Sequence, residues 1–211
     1  MSLRVLLADD HDLVREGFRA ILERESFQVV AEATNGRDAI SLADTHHPDL
    51  AVLDLSMPNL NGLDAGRAIV QRRGGRTRVV LLTMHTEDYQ IVAALRAGLH
   101  GYIIKSQCTQ DLVQALKDVA AGGTYLSPGN CRVVMETFFS GRPIASESLN
   151  AREREILQLI AEGRSTKEVA NILGITVKSA ESHRTRLMEK LDIHETATLV
   201  RYAIRHGLID P

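Results

Sequence analysis

Over the first 122 residues, short runs of consecutive apolar positions alternate with longer segments whose apolar residues recur at helical spacing. The runs are Val5 to Ala8, Val29 to Ala31, Leu50 to Leu55, Val79 to Leu82 and Tyr102 to Ile104. Several are apolar at successive positions, the pattern of parallel strands covered by helices on both faces. In the first intervening segment Leu13, Val14, Phe18, Ile21 and Leu22 form the expected buried stripe, with Arg15, Glu16, Arg19 and Glu23 outside it. Five βα repeats predict a doubly wound α/β domain over residues 1–122.

The pattern then changes. Gly122-Gly123, the run Thr124 to Gly129 and Ser140-Gly141-Arg142-Pro143 read as a linker over residues 123–148, partly helical from about Asn130 to Phe139. From Leu149 onward no strand-like alternation remains, and start and stop signals bracket four helices in residues 149–211. Asn150 with Glu153, and Ser165 with Glu168, have capping-box spacing. Gly163 and Gly174 are helix stops, and Thr176 caps a longer helix running to about Leu191. Two helices meeting across Gly174-Ile175-Thr176 make a helix-turn-helix. A last helix, from about Thr196 to His206, places Val200, Ala203 and Ile204 on one side.

Composition narrows the setting. The chain has 211 residues, 44% of them apolar, enough to fill two modest cores. It lacks Trp and has four Phe and four Tyr, which argues against a carbohydrate-stacking surface or an aromatic cage. Residues 149–211 hold 10 Lys/Arg against 9 Asp/Glu, and residues 1–148 hold 15 against 18, so any nucleic-acid contact must come from a local patch. Cys108 and Cys131 without a signal-peptide pattern suggest a reducing, cytoplasmic home, and no apolar run approaches the roughly 18 to 20 residues that cross a bilayer.

Ligands on open α/β sheets bind at the carboxyl ends of the strands. The residues there are Asp9 and Asp10, Asp54, Thr83 and Lys105, all polar ends of apolar runs. Grouped carboxylates repel one another unless a divalent cation lies between them, and hard oxygen ligands favour Mg²⁺. A carboxylate can attack phosphorus to give an aspartyl phosphate, while Lys105 and the Thr83 hydroxyl hold the phosphoryl oxygens. Taken singly these residues also read as a helix cap, a strand end and a solvated lysine. That reading gives no reason for four strands to end in the groups phosphoryl transfer needs.

Ala8-Asp9-Asp10-His11, the segment Asp54 to Gly62, Thr83 and Gly101 to Lys105 resemble the receiver domain of two-component response regulators over residues 3–122. That resemblance implies a flavodoxin-like, five-stranded parallel sheet in the order 2-1-3-4-5. It also implies that Asp54 is the phosphoacceptor of a cognate histidine kinase, with Lys105 pairing with the phosphate. Asp9, Asp10, Asp54 and the Ser56 backbone carbonyl would arrange Mg²⁺ (or Mn²⁺), and Thr83 and Tyr102 would be a switch pair. Self-phosphorylation from small donors and autodephosphorylation are expected, without a turnover enzyme.

In a helix-turn-helix the second helix enters the major groove. Here its buried side is expected to be Val177, Ala180, Leu187 and Leu191, and Thr176 to Lys190 hold four Lys/Arg against two Glu. The segments Leu149 to Leu157, Glu168 to Ala170, Thr176 to Ser179 and His183-Arg184 resemble the LuxR-type domain of NarL/FixJ regulators over residues 148–209. The resemblance implies DNA contacts from Thr176, Val177, Lys178, Ser179, Glu181, Ser182, Thr185, Arg186 and Lys190. It implies pairing of two copies through Thr196, Leu199, Val200 and Ala203. Ser179, Ala180 and Glu181 depart from the common choices there, which bears on target sequence.

The expected function is a phosphorylation-controlled, homodimeric regulator of promoter DNA, with RNA polymerase as a further candidate partner and no membrane role. The rivals are a constitutive dimeric DNA-binding regulator with an unphosphorylated receiver, a phosphohydrolase, and a small-molecule receptor. Ser56, two positions after Asp54, leaves the phosphohydrolase without its second carboxylate.

Overall fold

The computed structural model describes residues 2–84, 88–105, 109–127 and 149–209. The helix expected over about Asn130 to Phe139, and Cys108 and Cys131, lie outside them. The chain divides into two compact units, and the described residues 149–209 belong to the second.

The first unit runs β1 (Arg4–Ala8), α1 (Asp12–Arg24), β2 (Gln28–Ala33), α2 (Gly36–His46), β3 (Leu50–Asp54), α3 (Gly62–Arg73), β4 (Arg78–Thr83), α4 (Asp88–Arg96), β5 (Gly101–Ile104), α5 (Thr109–Ala120) and β6 (Tyr125–Leu126). All pairings are parallel, in the order β2-β1-β3-β4-β5-β6. Val5 to Ala8 and Leu50 to Leu53 are buried at every position, as expected for strands covered on both faces. On one face Val5, Leu7, Val52, Val80 and Ile103 pack with Leu22 of α1 and Leu112, Leu116 and Val119 of α5.

Two expectations for this unit need correction. The sheet has six strands where five were expected: Tyr125 and Leu126, assigned to the linker, pair with Gly101 and Tyr102. The Tyr125 and Ser127 amides donate to the carbonyls of His100 and Tyr102 at 3.0 and 3.2 Å. A two-residue strand is too short to show alternation, yet it satisfies polar backbone that β5 would otherwise leave at the edge. The buried stripe of α1 is also narrower than expected, since Leu13 is 83% exposed and Arg15 half-buried. Arg15 turns inward because carboxylate and carbonyl oxygens surround the start of α1. Its guanidinium donates to the Asp9 carbonyl at 2.8 Å and lies 2.6 Å from Asp12 and 3.3 Å from Glu32.

The second unit contains α6 (Ala151–Ala161), α7 (Thr166–Leu173), α8 (Val177–Leu191) and α9 (Thr196–Arg205). Both capping boxes form: Glu153 and Glu168 amides donate to Asn150 and Ser165 side chains, and the Glu carboxylates accept from the cap amides. Gly174 ends α7 at φ 63°, a left-handed turn glycine adopts without strain, and Thr176 Oγ1 accepts from the Ser179 amide at 3.2 Å to open α8. Ile156, Leu157, Leu159, Val169, Ala180, Leu187, Leu199 and Ala203 share one core. Val177 is 43% exposed, against the expectation that it lies inward, because it stands at the first position of α8, ahead of Ala180, where contact with that core begins. Leu199 and Ala203 are wholly buried inside the unit, so of the four residues expected to pair two copies only Thr196 and Val200 reach its surface. No helix among the described residues is long and apolar enough to cross a membrane.

Candidate functional site: the acidic pocket and the helix-turn-helix

Sheet register assembles the pocket. Ala8 pairs with Leu53, Asp54 with Leu82 and Thr83 with Ile104, so the next residues outward, Asp9 and Lys105, arrive at the same edge as Asp54 and Thr83. Lys105 is held there by its own amide, which donates to the Thr83 carbonyl at 2.7 Å. Its Nζ lies 2.7 Å from Asp9 Oδ2 and 2.9 Å from Asp54 Oδ1. Asp9, Asp54 and Thr83 are all buried.

Burial pushes the Asp54 carboxyl up to about 6; Lys105 works against this, and Asp9 adds to it. Burial alone would lower Lys105, but Asp54 and Asp9 together outweigh it and hold the ammonium above its ordinary value. The lysine is therefore charged near neutrality, while burial makes the charge on Asp54 costly to hold.

A backbone contact shapes the floor. The Gly62 amide donates to the Leu55 carbonyl at 2.9 Å, and a Cβ on Gly62 would stand 2.0 Å from the Asp54 carbonyl oxygen. Only glycine lets α3 start this close to the end of β3, with Asn61 capping it through the Asp64 amide at 2.9 Å.

One ligand atom from each of Asp9, Asp10, His11 and Asp54 lies within 4.8 Å of the others. Three carboxylates in this spacing, one fully and one largely removed from water, suit a hard divalent cation. His11 closes the Ala8-Asp9-Asp10-His11 motif, which by itself assigns it no role. Its position after Asp9-Asp10, before the first helix, is the signal that could have singled it out. Tyr102 is 1% exposed and its hydroxyl donates to Gln90 Oε1 of α4 at 3.2 Å, a partner with no sequence signal.

On α8, Thr176, Val177, Lys178, Glu181, Ser182, Thr185, Arg186 and Lys190 are exposed and Ser179 is half-buried. Three are engaged: Thr176 Oγ1 accepts from the Ser179 amide, Ser182 Oγ donates to the Lys178 carbonyl at 3.0 Å, and Lys190 Nζ lies 2.7 Å from Glu153 Oε2. Arg184 lies at the flank and donates to Thr196 Oγ1 at 2.9 Å, tying α8 to α9.

Comparison with known proteins agrees with both halves. Residues 5–117 match the response regulator receiver domain family, and residues 147–203 match the bacterial regulatory proteins of the luxR family. The chain is 40% identical to the transcriptional regulatory protein MctR of Rhizobium johnstonii, covering 99% of this chain and 96% of that one. It is 36% identical to the response regulator UvrY of Escherichia coli K12, covering 98% and 95%. It also resembles the RcsB response regulator of Salmonella typhimurium, with TM-score 0.64 and 27% identity over 95% of this chain and 96% of that one. A further RcsB structure, of two dimers bound to two parallel DNAs, gives TM-score 0.59 at 25% identity over 96% of this chain and 98% of that one. With an acidic pocket at the carboxyl edge of the sheet in one unit and a capped helix-turn-helix in the other, the chain belongs to the two-component response regulators, transcription regulators with a receiver domain and a LuxR-type DNA-binding domain.

Proposed function

We propose that in the cytoplasm Asp54 accepts a phosphoryl group from a cognate histidine kinase, and that this controls pairing of two copies and their grip on promoter DNA. The observation that supports it best is the Lys105 ammonium seated on both Asp9 and Asp54 at the carboxyl edge of the sheet. An Asp54 oxygen bonds to phosphorus as the P–N bond of the kinase phosphohistidine breaks, and the departing imidazole keeps the electron pair. Lys105 and the Thr83 hydroxyl hold the phosphoryl oxygens. Mg²⁺ or Mn²⁺, held by Asp9, Asp10, Asp54 and the Ser56 carbonyl, would offset charge on the group being transferred. Acceptance from small phosphodonors and slow self-hydrolysis belong to the same reading.

Thr83 and Tyr102 serve as the switch pair. The Tyr102 ring is already inward on Gln90, so in this reading the phosphoryl group holds that position instead of creating it. The exposed face of α8 enters the major groove, with Lys178 and Arg186 nearest phosphate or base edges and Lys190 at the rim on Glu153. RcsB dimers bound to DNA support two copies per site, here joined through Thr196 and Val200 of α9, and RNA polymerase is a further candidate partner.

The test is intact-mass measurement after incubation with a small phosphodonor and Mg²⁺, beside Asp54→Asn and a metal-free control. The expected result is one added phosphoryl mass in the wild type with metal only. No gain from any donor overturns the reading. A gel shift at matched protein concentration then tests the coupling, with tighter binding of the phosphorylated form expected.

A further inference from the structure

His11 brings a nitrogen to a pocket whose other ligand atoms are oxygen. It stands at the N-cap of α1, where Ser, Thr, Asp and Asn are preferred because their side chains accept a bond from a first-turn amide. The imidazole makes no capping bond. It is turned instead to the carboxylates, with Nδ1 2.9 Å from Asp10 Oδ1 and 3.6 Å from Asp9 Oδ1. The His11 amide donates to Asp9 Oδ1 at 3.0 Å, which ties the residue to the buried wall of the pocket. Its ligand atom lies within 4.8 Å of those of Asp9, Asp10 and Asp54.

Two observations thus converge on one atom: a helix start that forgoes the usual side-chain cap, and an imidazole nitrogen placed among three carboxylates. Mg²⁺ takes oxygen ligands and keeps its waters, so an imidazole adds little to its binding. First-row transition ions accept imidazole well, with affinity rising from Mn²⁺ toward the later members of the series.

We propose that His11 is a direct ligand in the receiver pocket and biases it toward first-row transition divalent ions over Mg²⁺. This rests on the reading of Asp9, Asp10 and Asp54 as a metal site. The competing role, a surface hydrogen bond from His11 to Asp10, predicts that removing the imidazole changes all ions alike.

The experiment uses the full chain with Mn²⁺, Co²⁺ and Mg²⁺ as probes. Mn²⁺ binding is followed by loss of the free-ion EPR signal, the other two ions by displacement of Mn²⁺, and directly bound nitrogen by pulsed EPR of the Mn²⁺ complex. The wild type is compared with His11→Gln, Asp10→Asn and Asp54→Asn. Nitrogen coupling is expected in the wild type and absent in His11→Gln. That variant should bind Co²⁺ about tenfold more weakly, Mn²⁺ less weakened, and Mg²⁺ within about twofold of wild type. Absence of nitrogen coupling in the wild type, its persistence in His11→Gln, or a parallel loss for Co²⁺ and Mg²⁺ overturns the role of His11. If Asp10→Asn and Asp54→Asn both bind Mn²⁺ as the wild type does, the metal reading of the pocket itself fails, and the proposal with it.

Discussion

The two units each hold a lysine against carboxylate at 2.7 Å, in opposite surroundings. Lys105 sits on Asp9 and Asp54 with all three side chains nearly sealed from water, whereas Lys190 meets Glu153 on an open surface. In the sealed pair desolvation dominates, and Asp54 is pushed up to about 6 in spite of its lysine. In the open pair the Lys190 hydrogen bond dominates, and Glu153 is held below its usual value. The same chemistry therefore stores unfavourable charge in one unit and mildly stabilises the other. The stored charge suits the cation and phosphoryl group proposed for this pocket; the open pair is a surface fastener between α6 and α8.

The largest expected effect is from Lys105→Met. It leaves Asp9 and Asp54 adjacent with no lysine between them and should cost the first unit about 4 kcal/mol, read by calorimetry of the full chain at neutral pH without metal. A loss under about 1 kcal/mol would show that the buried pair is no more costly to break than a surface one. Gly62→Ala comes next, at about 3 kcal/mol, because the added methyl meets backbone that no rotamer change can move aside. An unchanged melting temperature would mean that α3 can start farther from β3.

The pH dependence sharpens the contrast through its sign. Asp54 titrates higher in the folded state than its ordinary 3.8, so its contribution is fully present below about 3.8 and is lost as pH rises through about 6. Glu153 is lowered, so its contribution is present above 4.5 and is lost as pH falls through its folded value. Asp54→Asn should therefore remove a fall in stability of about 3 kcal/mol between pH 4 and 6.5, and should stabilise the first unit at neutral pH. A slope in Asp54→Asn equal to the wild type's would sink this assignment. The smallest effect is expected from Lys190→Met, within about 1 kcal/mol, since the pair is solvated and screened by salt. A larger loss would mean that Lys190 helps pack α8 on α6.

The acidic pocket was legible because a parallel sheet places the residues that follow its apolar runs at one edge. Asp9, Asp54, Thr83 and Lys105 each stand at or just past the end of such a run. The helix starts were legible because capping is local: Asn150 with Glu153, Ser165 with Glu168, and Thr176 all form the bonds their spacing suggests. Side-chain direction at helix ends was not. Leu13 and Val177 fall on the apolar stripe by periodicity, yet each lies in a first turn that extends past its core. Leu199 and Ala203 showed the converse, because periodicity marks an apolar face without saying whether that face serves the unit's own core or a second copy.

Read as a linear chain, this protein already specifies its five main βα repeats, its four C-terminal helices, three of them capped, and the chemistry at the strand ends, since all three depend on spacing along the backbone. Folding alone settles what depends on neighbours distant in sequence. It pairs Tyr125 with Gly101 as a sixth strand, places Gln90 on the Tyr102 hydroxyl and seats Lys105 on two aspartates at once. It also decides how much water each charge keeps. That last property separates Asp54 from Glu153, and no pattern of residue types contains it, because desolvation is set by the whole surrounding volume.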